Sequence, residues 1–471
     1  MTAQTILPAN SVTGGFDVDN SVRLDGTSAY LKFTSSAGNR RTWTYSTWVK
    51  RSKLTNDKQN FISSYAAQND AGYTGFRFQE GEVINLTGWS TDWFTTTRVF
   101  RDLSAWYHIV LAVDTTNATA GNRLRLYVNG VEETSFSQSN NPDENEDLAI
   151  NVDGEVTYIA SEAYTSGGSR WFNGYIAETV LIDGLQLTPS SFGEFDSDSG
   201  IWKPKDVSGL TRGTNGFYLD FKDSSNLGND AFGDTDLTEV NLAATDQSTD
   251  TPINNFATIN ALDNFYAGAT LSEGNLRVVT PVAAYAPIRS TIGVSSGKWY
   301  AEVKIITASA TDHEQGVVSQ AAASASAGVG RIAEGYGYAG NGQVFRNDSQ
   351  VTYSANSLAA DDILGIYLDL DNNKLYFAKN GTIQNSGAGI SIVDPASTTD
   401  GVYYFATSDN ANASGGSYQF DWNFGNPIFT GTDQADANGY GSFEYSPSAG
   451  TFDSASKDFY ALNTKNLAEY G

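Results

Sequence analysis

The feature that most constrains this chain is one pattern of residues that occurs twice, far apart in the sequence. The first copy is a continuous apolar run, Ile109-Val110-Leu111-Ala112-Val113-Asp114. A polar loop follows, then the alternating run Leu124-Arg125-Leu126-Tyr127-Val128, closed by Asn129-Gly130. The second copy is Ile363-Leu364-Gly365-Ile366-Tyr367-Leu368-Asp369, a turn at Asp371-Asn372-Asn373, and Lys374-Leu375-Tyr376-Phe377-Ala378-Lys379, closed by Asn380-Gly381. Short apolar runs between turn signals read as buried strands, and Asn-Gly supplies the two left-handed residues that a type I′ hairpin needs. Each copy predicts consecutive antiparallel strands, and the repeat predicts two halves of one architecture.

Length and composition agree. A chain of 471 residues exceeds one ordinary core. Its aromatic content of 13% and its 46 glycines favour strands and tight turns over long helices. In Trp43-Thr44-Tyr45-Ser46-Thr47-Trp48-Val49, alternation puts Trp43, Tyr45, Thr47 and Val49 on one face and Trp48 on the other, which marks a strand deep in a sandwich. The expected fold is all-β, two tandem antiparallel jelly-roll β-sandwiches. The expected boundaries are an N-terminal arm over 1–15, a first sandwich over 16–205 and a connector over 206–261. A second sandwich over 262–430 and a tail over 431–471 complete the chain. Within the connector, Phe217 to Phe221 is expected to form a strand on the first sandwich, and Asp246 to Asn255 to be the linker. The one helical signal is Leu187 to Phe192, where Thr188 and Pro189 suit a helix start. Ala321 to Ala327 alternates with Ser, lacks an apolar face and reads as a loop.

The 54 acidic against 28 basic residues give a net charge of −26, which repels nucleic-acid phosphates and anionic membrane surfaces. No nucleic-acid partner and no membrane insertion are expected. With no Cys, disulfides, zinc-thiolate clusters and thiol nucleophiles are excluded. Residues 1–10 lack the basic start and apolar run of a signal peptide, so synthesis in a cytoplasm is expected.

Several motifs resemble known families. Ser21 to Gly26, Trp43 to Val49, Trp106-Tyr107-His108-Ile109-Val110 leading to Gly130, and Phe172 to Glu178 resemble, in that order, the laminin-G-like or concanavalin-A-like jelly rolls. In the second half, Ser296 to Val303, Gly335 to Tyr338, Asp362 to Asp369, Leu375 to Gly381 and Asn423-Phe424-Gly425 resemble a SPRY domain. The domain order, the connector Thr251 to Thr258 and the stretch Phe459 to Thr464 look like virion proteins of tailed bacteriophages, notably those of marine bacteria and cyanobacteria. This resemblance implies a place on a virus particle, in a tail fibre, a tail appendage or a capsid-surface fibre or knob. It also implies other virion structural proteins as partners, a homo-oligomer, and attachment to host-surface glycans or proteins. An assembly or decoration role without a receptor, and polysaccharide cleavage, are the alternatives.

Few residues offer chemistry. The histidines are His108, read as bonding across the sheet within its strand, and His313, read as a solvated loop residue flanked by acids. Glycoside hydrolysis needs two carboxylates facing one cleft. The pairs Asp17/Asp19, Glu144/Glu146 and Asp369/Asp371 fall in loops or at strand ends, so no enzyme is expected. Calcium is the cofactor weighed: Asp17, Asp19, Asn20 and Asp114 are its candidate ligands, against a role as turn acids. Trp89, Trp93 and Phe94, within Gly88 to Phe94, and Tyr336 and Tyr338 between glycines, are the candidate ligand contacts. Their rings could stack on sugars, meet another subunit or pack in the core.

Overall fold

The computed structural model describes residues 15–54, 57–164, 168–263, 268–280, 287–307, 313–320, 328–409 and 417–471. The expected arm, apart from Gly15, and the expected loop over 321–327 lie outside the described residues. The described chain is almost wholly antiparallel β-structure, as its sequence predicts. It divides into two compact units, one ending at Ile253 and the other running Asn254–Gly471.

The first unit stacks two sheets. One runs, in spatial order, Val131–Glu132, Leu124–Val128, Trp106–Asp114, Thr42–Arg51, Asn173–Asp183, Ser21–Asp25 and Gln247–Ser248. The other runs Phe136–Ser139, Asp92–Val99, Val83–Thr87, Tyr73–Gln79, Gln59–Tyr65, Val156–Ile159, Tyr30–Thr34 and Thr238–Val240. Alternation sorts the side chains as expected. Trp43, Tyr45 and Val49 enter the core with Phe76, Phe78, Ile109 and Leu111, while Trp48 packs on the far side with Val18, Trp106, Tyr175 and Ile253. Burying side chains of this size contributes about 1.5–3 kcal/mol each.

Both faces of the first sheet are apolar because the chain returns over its outer side. Phe192, Val207 and Tyr218 pack on Val110, Ala112, Val180 and Ile182. The expected strand forms at Phe217–Leu219 and pairs with Thr179, Val180 and Leu181. A break in register between Ala177 and Val180, with Glu178 at φ 47°, lies where this extra strand joins. The boundary between the two units, after Ile253, falls within the expected linker, but the linker is narrower than expected: Gln247–Ser248 pairs with Ser21 and Val22, and Asp250 is fully buried. Lys50 Nζ lies 2.6 Å from its carboxylate and Trp106 Nε1 donates to it at 2.9 Å. A buried lysine demands such a partner, which ties this stretch to the first sandwich.

The second unit repeats the plan. A nine-stranded sheet centres on Lys298–Thr307, flanked by Gln419–Asn423 and Ile363–Asp369. A six-stranded sheet runs Ile288–Arg289, Tyr404–Asp409, His313–Val318, Gly335–Ala339, Val344–Arg346 and Ser349–Val351. The C-terminal stretch covers the outer side of the larger sheet, where Phe443, Phe452 and Phe459 pack on Tyr300, Tyr367 and Tyr376. Tyr460–Ala461 adds a short parallel strand to Trp299–Tyr300, and an α-helix follows over Thr464–Tyr470, capped by the Asn463 side chain accepting from Asn466 N. The expected helical turn is a single 3₁₀ turn, Pro189–Ser191, whose Thr188 side chain makes no cap bond.

Both Asn-Gly turns adopt the predicted geometry, with φ of 49° and 79° at Asn129-Gly130 and 47° and 74° at Asn380-Gly381. In each, the Asn side chain accepts from the first strand's backbone, from His108 N at 2.7 Å and from Ile363 N at 2.8 Å.

Candidate functional site

The strand Tyr73–Gln79 alternates sharply. Phe76 and Phe78 face the core, so Tyr73, Arg77 and Gln79 stand on the outer face of their sheet. There they line a pocket of about 390 Å³ with Lys58, Thr87, Trp89, Asp92, Glu162, Tyr164 and Arg170. Two of these rings are open to solvent, Trp89 at 38% and Tyr164 at 43% exposure. Their centroids are 5.1 Å apart, and Tyr65 and Tyr73 support Trp89 at 6.1 and 6.2 Å.

The Trp89 turn is held rigidly. Asp70 accepts from the backbone and hydroxyl of both Ser90 and Thr91, at 2.6 to 3.2 Å. Partial burial works to raise the Asp70 pKa, but those bonds outweigh it and hold the carboxyl below its ordinary value.

The pocket floor is charged. Glu162, 1% exposed, accepts from Tyr73 Oη and Arg170 Nη1, and from Ser169 Oγ at 3.2 Å. Arg77 reaches Tyr73 Oη at 3.3 Å and Gln79 Oε1 at 3.5 Å, and lies 3.8 Å from Glu162. Burial lowers the pKa of Arg77 and, together with the charges of Arg77 and Arg170, that of Lys58. Rings that can stack on a sugar face, beside donors and acceptors for its hydroxyls, make this pocket a candidate site for a polar ligand.

Other candidates in this half take structural places. Trp93 and Phe94 are 5% and 4% exposed and belong to the core, which corrects their assignment as ligand contacts. Asp17 and Asp19 are exposed, Asn20 is half-buried, and the Asp114 carboxylate accepts from Thr116 and Thr42 as a turn acid does. Among the described residues no group of three or more His, Cys, Asp or Glu side chains could hold a metal ion, so the calcium assignment has no cluster behind it. Glu144 pairs with Arg123 at 3.6 Å, and Glu146 accepts from Asp143 N at 2.7 Å. His108 is buried between Trp202, whose Nε1 donates to Nδ1 at 2.9 Å, and Ser46, 2.9 Å from Nε2. The ring is therefore neutral with its proton on Nε2, and burial lowers its pKa to about 3.

The sequence profile of the Concanavalin A-like lectin/glucanases superfamily, of laminin-G type, matches residues 25–189, and that of the SPRY domain matches residues 298–400. The chain joins a concanavalin A-like domain to a SPRY domain. A curated relative, the ATP-dependent RNA helicase DDX1 of Xenopus laevis, is 33% identical over 125 residues; the match covers 26% of this chain and 16% of the helicase. Among solved structures, the SPRY domain of human HERC1 aligns with a TM-score of 0.28 at 13% identity, covering 33% of this chain and 91% of that one. A putative carbohydrate binding protein from Bacteroides ovatus aligns with a TM-score of 0.35 at 15% identity, covering 48% and 61%.

In the SPRY domain, Tyr336 and Tyr338 lie in a strand and are fully buried, which corrects their assignment as ligand contacts. They alternate with Gly335 and Gly337, whose missing side chains let the turn Val329–Arg331 lie against the strand. A Cβ at Gly335 would sit 1.8 Å from Val329 O, and one at Gly337 2.6 Å from Gly330 N. His313 opens the strand His313–Val318, fully buried, with Nδ1 3.0 Å from Gln315 Oε1, and is not a solvated loop residue. Asp369 is buried with Lys457 at 2.7 Å, while Asp371 is exposed and pairs with Lys298.

The pocket brings Trp89 together with Lys58, Tyr73, Arg77, Glu162, Tyr164 and Arg170, none of which was a sequence candidate. One signal was available in sequence: Arg77 alternates with two phenylalanines, which places a charge on the open face of an otherwise aromatic strand.

Proposed function

We propose that this chain is a glycan-binding protein of a virus particle, and that the pocket under Trp89 and Tyr164 receives the sugar. The observation that carries the glycan reading is the pair of solvent-open rings over a polar, hydrogen-bonding floor on a rigid sheet. The particle setting is supported by the resemblance of the domain order and C-terminal stretch to tailed-phage virion proteins. On a particle, many copies turn weak single contacts into stable adhesion by avidity.

The test is a glycan array probed with the full chain and with Trp89→Ala. Retention of defined glycans by the full chain, weakened roughly tenfold or more in the variant, is expected. An empty array, with unchanged adsorption of particles lacking the protein, would overturn the reading and leave assembly as the role.

A further inference from the structure

The charge inside this pocket runs against that of the whole protein. The chain carries −26, yet three cations, Lys58, Arg77 and Arg170, line the pocket against two carboxylates, Glu162 and Asp92. Both carboxylates are engaged from within the protein. Glu162 accepts from Tyr73, Arg170 and Ser169, and Asp92 accepts from Asn85 Nδ2 at 3.1 Å. Arg170 is thereby neutralised.

Neither Arg77 nor Lys58 has a close ion pair of this kind, and Asp92, whose Asn85 partner is neutral, offsets only one of the two charges, so the pocket is left with one positive charge in excess. Arg77 is 4% exposed, its hydrogen bonds to Tyr73 and Gln79 are long at 3.3 and 3.5 Å, its Nε has no partner among the described residues, and Glu162 stands 3.8 Å away. Among the described residues the carboxylates that act on the Lys58 ammonium are Glu162 and Asp92, and Glu162 lies closer to Arg170 and Arg77. A buried charge without full compensation is costly, so a pocket that keeps one gains by admitting an anion. Burial, and after it the charges of Arg77 and Arg170, lower the pKa of Lys58 against the opposing pull of Glu162 and Asp92.

We infer that the sugar bound here carries an acidic group, a uronate carboxylate or a sulfate, which meets Lys58 with Arg77 behind it while the sugar ring lies against Trp89 and Tyr164. This rests on the glycan reading above. A planar guanidinium and a mobile ammonium suit an oxyanion, whereas a neutral sugar would leave both unsatisfied.

The experiment measures binding of the full chain to an oligosaccharide library in matched forms: uronates, their carboxyl-reduced neutral counterparts, and sulfated neutral sugars. At least one acidic form is expected to bind about tenfold or more tightly than its neutral match. Which one does so identifies the acidic group. Lys58→Gln, checked for folding by its melting temperature, should reduce that acid-to-neutral ratio severalfold, and Lys58→Glu further. Equal binding of acidic and neutral forms, or a ratio that ignores both substitutions, overturns the inference and leaves glycan binding standing. No binding by any form, with the array also empty, removes the glycan reading and this inference with it.

Discussion

In the concanavalin A-like domain, the sheet that carries Trp48 and Trp106 is covered on its outer face, whereas the sheet that carries Tyr73 and Arg77 presents the pocket there. Both sheets put aromatic rings on that face. What differs is the company of the rings: Val110, Ala112, Val180 and Ile182 on the covered sheet, Lys58, Arg77 and Gln79 on the open one. An apolar outer face needs a lid of chain, and residues 189–253 supply it. On the other sheet the face that carries Arg77 and Gln79 is left without such a lid and presents the candidate pocket.

The strongest way to break this comparison is to loosen the cover. Asp250→Ala would leave Lys50, 1% exposed, buried without its carboxylate, and would take the acceptor from Trp106 Nε1. Removing one partner of a buried pair costs about 3–5 kcal/mol. Urea unfolding should show that loss in the concanavalin A-like domain alone. A loss below about 1 kcal/mol, the scale of a surface pair, would mean that the cover does not depend on this contact.

The SPRY domain sharpens the rule, because its larger sheet is also covered by the chain that follows, and the cover closes over an acid. Glu302 is fully buried and accepts from Glu444 N at 3.0 Å and Tyr445 N at 2.8 Å in the covering stretch, and from Tyr300 Oη and Asn423 Nδ2, both at 3.0 Å. Burial nonetheless raises its pKa from 4.5 to about 7. Between those values the folded state holds a proton that the unfolded state has released. The associated stability is therefore complete below about pH 4.5 and is lost as pH rises to about 7, by about 3 kcal/mol in all. Unfolding measured at steps across that window should show the decline in the native chain and a flatter profile in Glu302→Gln. Only the difference in slope is diagnostic, because the amide also disturbs the bonds. Parallel profiles would show that Glu302 does not titrate there.

Much of the architecture was legible in sequence because it depends on local rules. Asn129-Gly130 and Asn380-Gly381 fix their turns through backbone preference alone, and Trp43 to Val49 sorts itself by alternation. The polarity of the stretch around Asp250 is that of a linker, and Lys50, Trp106 and the pairing with Ser21 and Val22, all remote in sequence, make its first part structural, while the boundary between the units falls after Ile253 within it. Tyr336 and Tyr338 were misread because glycine beside an aromatic resembles a loop. Here the glycines make room for a turn on the strand's back. The pocket was legible only at Trp89. Its other members sit on separate strands and loops, and sheet pairing across Gln59–Tyr65, Tyr73–Gln79 and Val83–Thr87 gathers them.

The smallest expected effect is the one that separates site from core. Trp89 is supported by rings but is 38% exposed, so Trp89→Ala forfeits less burial than the loss of a core ring and should cost less stability. Trp93, four residues on and in the core, would cost about 3–5 kcal/mol by the same truncation. Thermal and urea unfolding of the two variants, read beside their glycan retention, place each ring on one side of the sheet. A Trp89 variant as unstable as the Trp93 variant would mean that the ring is core after all, and that its loss of binding reports unfolding. A stable Trp89 variant that no longer retains glycan ties the loss to the open face itself.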